Sequence, residues 1–204
     1  VDGRLYREET KMIIDKYPFL WSNEPKHVFE DGSVTLTTSG STDFWQRTHY
    51  GFRADNAHAL LTRIGDEFTL TAHCTFKAKN QYDQGGLYVR IDEENWIKIS
   101  IEAENDEISR LGSVCTNLGY SDWATVDIPA SINSMHYRVS SKGDDLLVEY
   151  SYDGNDWTQM RICHMHAHKD HYLAGMYACS PKEAGGAVYT FDQISIEKSI
   201  WKNE

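Results

Sequence analysis

The chain has 204 residues, 40% hydrophobic and 12% aromatic. That supplies a packed core and is too apolar for a disordered chain. A net charge of −11 leaves few cations to neutralise phosphates, so nucleic acids and anionic membrane surfaces are not expected partners. No apolar run approaches the ~20 residues that span a bilayer.

Residues 8–17 (EETKMIIDKY) read as a short helix or an irregular arm ended by Pro18. This sets residues 1–20 apart from a single sandwich domain over 21–204, as an arm that packs on its own domain or on a second copy in a homodimer. From Trp21 onward the pattern is strand, turn, strand. SVTLTTS alternates with period two. The aromatic stretch DFWQRTHYGFRADNAHALLTRI is less regular and reads as short strands joined by a loop.

The middle of the chain alternates cleanly. Leu70, Ala72, Cys74 and Phe76 fall on one face of a strand, with Thr71, His73 and Thr75 on the other. Leu87, Val89 and Ile91 point inward, opposite Gly86, Tyr88 and Arg90. Ile97, Ile99 and Ile101 do the same, opposite Trp96, Lys98, Ser100 and Glu102. The polar turn Asp92–Asn95 makes the last two an antiparallel hairpin.

Further strands are read in ISRLGSVCTN, HYRVSSK, LLVEYSYD, WTQMRICHM, LAGMYACS and AVYTFDQISIEK, separated by turns such as YDGND. About a dozen short strands with almost no helical period predict an all-β fold of two packed antiparallel sheets. Cys74, Cys115, Cys163 and Cys179 include no CxxC pair, and three lie in apolar runs. They are expected to be buried free thiols, which points to a reducing, cytoplasmic setting.

Five blocks in order, DFWQRTHYGFRADNAH, YDQGGLYVRIDEENWIKISIE, SVCTNLGYSDWA, YSYDGNDW and GMYACSP, carry a resemblance. The chain resembles the "regulation of enolase protein 1" family over residues 21–196. The resemblance implies a concanavalin A-like jelly roll of unknown function. The name hints at a protein-interaction module that regulates a metabolic enzyme and supplies no chemistry. The His-rich stretch CHMHAHKDH lies outside the resemblance.

A jelly roll has one concave sheet, and its open face is where ligands sit. If the central strands pair in register, Gln84, Tyr88, Arg90, Trp96, Lys98 and Glu102 form one patch of aromatics and hydrogen-bonding groups there. Aromatic rings stack on sugar faces while the polar groups bond hydroxyls, so a carbohydrate or similar polar ligand is expected. The competing reading is a solvated face with cross-strand ion pairs. Trp45, His49 and Tyr50 would close one rim and Trp123 another; core packing is the alternative for these aromatics.

For a glycoside-acting enzyme, Glu102 would need a partner, with Asp55, His58, His49 and Asp83 as candidates. Two carboxylates about 5–5.5 Å or about 6.5–9.5 Å apart are required. The ExDxE-type strand of related jelly-roll hydrolases is missing. His164, His166 and His168, with His171, have the spacing of a metal cluster if one strand continues through them. The polar turn HAHKDH favours a surface loop instead. Asp153, Asn155 and Asp156 are explained by hairpin chemistry as readily as by calcium. No nucleotide loop or nucleophile elbow is present, and no cofactor is expected.

Overall fold

A computed structural model of the chain describes residues 12–202, and among these every regular element is a strand. In chain order these are β1 (Met12–Ile14), β2 (Tyr17–Ser22), β3 (Lys26–Glu30), β4 (Ser33–Thr37), β5 (Phe44–Gln46) and β6 (Arg53–Asp55). Next come β7 (His58–Gly65), β8 (Phe68–Lys77), β9 (Gln84–Asp92), β10 (Asn95–Ala103), β11 (Ile108–Asn117) and β12 (Tyr120–Pro129). The chain closes with β13 (Ser134–Lys142), β14 (Asp145–Ser151), β15 (Thr158–His164), β16 (His171–Cys179) and β17 (Val188–Lys198).

Two antiparallel sheets face each other. One has eight strands in the order β1-β2-β7-β16-β9-β10-β11-β12, and the other has seven in the order β15-β14-β13-β8-β17-β4-β3. The core between them is built by the inward half of each alternating strand. Leu70, Ala72 and Cys74 meet Leu87, Val89, Ile97, Ile99 and Ile101, all essentially without solvent contact. The buried hydroxyl of Tyr137 accepts the Ile101 amide at 2.9 Å, which satisfies a polar group that would otherwise be costly there.

The hairpin register is the expected one. Arg90 faces Trp96, Tyr88 faces Lys98, Gly86 faces Ser100 and Gln84 faces Glu102. These residues do share the outer face of the eight-stranded sheet. Two glycines make that face possible. Gly86 sits opposite Tyr177, and Gly175 opposite Tyr88. A Cβ on Gly86 would lie 1.9 Å from the Ile99 carbonyl oxygen, and one on Gly175 would lie 1.9 Å from that of Leu60.

Two expectations are corrected. Residues 12–20 are not a helix or a separate arm. Met12–Ile14 and Tyr17–Ser22 form a hairpin that extends the eight-stranded sheet, with Leu20 paired to Leu61. Met12 and Phe19 face each other and are both buried, and Asp15 takes a positive φ in the tight turn. Burial of this pair against the sheet overrides the helical reading; residues 8–11 lie outside the described part. Strands β3 and β12 are additions to the strands read from the sequence.

The second correction concerns the outer face. The two-stranded β5–β6 hairpin folds over it as a flap. Phe44, Tyr88, Trp96 and Tyr177 form a small second core there, with Tyr88 and Trp96 fully buried.

Candidate functional site

The flap leaves part of the outer face open. A groove of about 1050 Å³ remains over β10–β12, between the flap and strand β12. Its floor is Gln84, Lys98, Glu102 and Val114. One wall is the flap, through Trp45, His49, Tyr50 and Phe52. Ser121, Asp122 and Trp123 continue the lining from β12, which the flap meets at Trp45 and Gln46, and Tyr82 and Lys182 close the end.

Polar bonds anchor the flap. Arg90 holds Asp55 with two bonds of 2.9 and 3.1 Å. Arg47 reaches Glu94 at 2.7 Å and the Gly119 carbonyl at 3.0 Å, and the Gln46 amide donates to Ser121 Oγ at 2.9 Å. From below, Lys98 Nζ donates to Asp43 Oδ1 at 3.1 Å and to the Phe44 carbonyl at 2.8 Å. The flap is therefore part of the folded body.

The walls are aromatic. Trp45 and Trp123 meet edge to face with centroids 6.5 Å apart, and Trp45 is fixed by a bond from its Nε1 to the Thr48 carbonyl. Tyr50 and Phe52 stack at 5.7 Å and are exposed by 69% and 40%. Aromatic faces this open lie ready for a flat apolar partner.

The floor is polar and electrically balanced. Burial is the largest single influence on Lys98 and works against its charge, but the acidic groups around it, Asp43 foremost, together hold the ammonium pKa above its usual range. Burial pushes the Glu102 carboxyl up to about 7, against the opposing pull of Lys98. Asp122 pairs with Arg161 at 3.3 Å. With Glu102 protonated, the floor carries one ion pair and no surplus charge.

Hydrogen bonds orient Glu102. The Tyr177 hydroxyl donates to Gln84 Oε1 at 3.1 Å. Gln84 Nε2 donates to the Tyr82 carbonyl at 3.1 Å and to Glu102 Oε2 at 2.8 Å. A backbone carbonyl only accepts, so this contact fixes which way the amide points. Tyr82 adopts a φ of 73°, uncommon for an aromatic residue, at the groove's end.

Of the residues expected at a ligand site, Trp45, His49, Tyr50, Gln84, Lys98, Glu102 and Trp123 line the groove. Tyr88, Arg90 and Trp96 do not. Tyr88 and Trp96 lie under Phe44, and Arg90 is spent on Asp55. Three of the acid–base partners expected for Glu102 are also displaced. Asp55 is Arg90's partner. His58 is buried, its Nδ1 donating to the Asn23 carbonyl at 2.7 Å and its Nε2 accepting from the Ser39 amide at 2.9 Å. Burial holds its pKa below the usual imidazole value. Asp83 is buried off the groove, with Oδ2 accepting the Lys79 and Asn80 amides. Sequence reasoning missed Asp43, Tyr82 and Lys182, which reach the groove from three separate loops and carry no local signal.

The histidines do not form a cluster of three: the rings of His164 and His166 meet edge to face at 5.1 Å, and His168 and His171 are paired elsewhere. β15 ends at His164, which pairs with Asp145 at 2.7 Å; His168 pairs with Asp144 at 2.6 Å and His171 with Asp170 at 2.7 Å. Among the described residues no group of three or more metal-ligating side chains converges. Asp153 Oδ1 takes the Asn155 and Asp156 amides at 2.8 and 2.9 Å, as a tight turn does. All four cysteines are free; Cys74, Cys115 and Cys179 are buried and Cys163 half-buried.

Sheet order, flap and groove define a concanavalin-like antiparallel β-sandwich. The chain belongs to the family described as "Protein of unknown function (DUF1349)", which matches residues 21–199. It is 38% identical over 183 residues to "Regulation of enolase protein 1" of Saccharomyces cerevisiae, covering 89% of this chain and 90% of that protein. A crystal structure of a functionally unknown protein from Saccharomyces cerevisiae superposes with a TM-score of 0.83 at 36% identity, covering 90% of this chain and 97% of that one. More distant likenesses share the fold alone. The GH43 BlXynB protein from Bacillus licheniformis aligns at TM-score 0.66 and 15% identity, over 93% of this chain and 38% of that one. The carbohydrate-binding module CBM66 from Bacillus subtilis aligns at 0.57 and 14%, over 87% and 95%.

Proposed function

We propose that the groove binds a neutral carbohydrate. The observation that carries this is the pairing of aromatic walls, Trp45 and Trp123, with a charge-balanced floor of Gln84, Lys98 and Glu102. Pyranose rings offer apolar C–H faces to aromatic walls and hydroxyls to amide and carboxyl groups. A fixed net charge would select an ionic ligand instead, and the floor's cation is already matched by Asp43. Distant structural likeness to a carbohydrate-binding module agrees with this reading without carrying it.

The test is isothermal titration with xylohexaose, cellopentaose, laminarihexaose and maltohexaose. At least one binds, and Trp123→Ala weakens that binding at least tenfold while leaving the melting temperature within a few degrees. Absence of binding across the panel removes the reading.

A second reading is a protein partner. Among the described residues β12 pairs on one side only, it carries exposed Tyr120, Trp123 and Val126, and an unpaired strand edge is a template for another chain. The relative's name makes enolase the first partner to try. Sedimentation with purified enolase, repeated with Val126→Asp, separates this reading from the carbohydrate one.

A further inference from the structure

Among the described residues, Glu102 is the one carboxyl on the groove floor that no cation contacts. Its neighbours by element are Lys98 and Glu104 on β10 and just beyond it, Arg110 on β11, Asp43 ahead of the flap, Asp122 on β12 and Lys182 at the rim. Lys98 is taken by Asp43 and Phe44 and Asp122 by Arg161, while Arg110, directly across the strand pair from Glu102, has its Nε 3.2 Å from Glu104 without a hydrogen bond and stands over the Trp123 ring. Lys182 lies over the Tyr82 ring. What does contact Glu102 is a neutral donor, Gln84, and it contacts one oxygen only.

That contact places the proton. In a carboxylic acid the carbonyl oxygen is the better acceptor. The Gln84 amide is locked by Tyr82 and Tyr177 with its N–H toward Oε2. Oε2 is therefore held as the carbonyl oxygen, and the O–H stands at Oε1. Oε1 has no protein partner among the described residues and is not sealed off from solvent. We propose that Glu102 is the specificity-determining hydrogen-bond donor of the groove, presenting an O–H from Oε1 to an oxygen of the ligand that can only accept. In a neutral saccharide these are the ring and glycosidic oxygens.

The proposal rests on the carbohydrate reading of the groove and sharpens it. A hydroxyl both donates and accepts, so it bonds either form of Glu102. A ring or bridging oxygen bonds only the protonated form. Burial keeps the carboxyl protonated to near-neutral pH. Glycosides are thus held at pH 6 and released as the pH rises, whereas open-chain polyols are treated alike at both.

The test measures binding of xylohexaose and cellopentaose between pH 5.5 and 8.5, with sorbitol for comparison. Wild-type affinity for whichever oligosaccharide binds falls at least about tenfold over this range, because only the protonated fraction is competent. Glu102→Gln keeps a carbonyl for Gln84 and presents its own N–H to the groove. It binds across the whole range with a flat profile, and this controls for His49, which it retains. The side-chain carboxyl carbon of Glu102 in the unliganded protein, followed by NMR, titrates near neutrality. A flat wild-type profile with intact binding overturns the donor assignment and leaves the carbohydrate reading standing. Loss of binding in Glu102→Gln overturns the donor assignment as well. Failure of both oligosaccharides, and of laminarihexaose and maltohexaose measured in the same way, to bind at any pH overturns both readings.

Discussion

The ring of Phe44 lies flat on that of Tyr88, centroids 4.3 Å apart and planes within 5°. This contact turns one half of the outer face into a second core and confines the groove to the other half. Phe44→Ala removes the stacked ring and leaves a hole lined by Tyr88, Trp96 and Tyr177. A loss of about 3–5 kcal/mol is expected from chemical denaturation. A loss below about 1 kcal/mol would mean the flap is not part of the folding unit.

Much of the scaffold is legible because alternation is local. The faces of β8, β9 and β10, and the pairing of Tyr88 with Lys98, follow from period two and one polar turn. Alternation says which face a side chain occupies and not what lies over it. Tyr88 and Trp96 read as groove walls for that reason, since the residue covering them is Phe44, more than forty positions earlier in the chain. The groove's end is non-local in the same sense: Asp43, Tyr82 and Lys182 meet only once the sheets have closed. The hairpin at residues 12–22 escapes a local reading because its apolar residues suit a helix or a strand equally, and only the partner β7 decides between them.

Lys98 and Asp43 form a nearly dry ion pair that also pins the flap through the Phe44 carbonyl. Lys98→Met removes the cation and leaves Asp43 facing a low-dielectric floor, at a cost of about 3 kcal/mol. Adding Asp43→Asn to Lys98→Met recovers part of that loss. A double-mutant cycle by urea unfolding therefore shows a clear coupling term. Strict additivity would mean the two groups act independently.

Gly86 is required by the approach of β10. Gly86→Ala drives a Cβ into the Ile99 carbonyl, which belongs to the neighbouring backbone and has no side-chain torsion to relieve the clash. The variant is expected to unfold at least about 10 °C lower or to be recovered insoluble. Gly65→Ala is the control, because a methyl group there would meet nothing within 4 Å and the residue falls at the end of β7. Equal melting temperatures for the two variants would contradict the packing described for β9, β10 and β16.

Glu102 also ties stability to pH, with a sign that can be worked out before measurement. Its folded pKa, about 7, stands above the ordinary value of 4.5. Between these values the folded state binds more protons than the unfolded one, so stability falls as pH rises. The contribution is fully present below about pH 4.5, drains away through about pH 7, and is constant above that. Glu102→Gln has no proton to lose. Its unfolding free energy, compared with the wild type at pH 5 and pH 8, should decline less over that interval. Parallel pH profiles for the two proteins would show that the Glu102 carboxyl ionises as an ordinary surface acid, and that burial on the groove floor does not hold its proton.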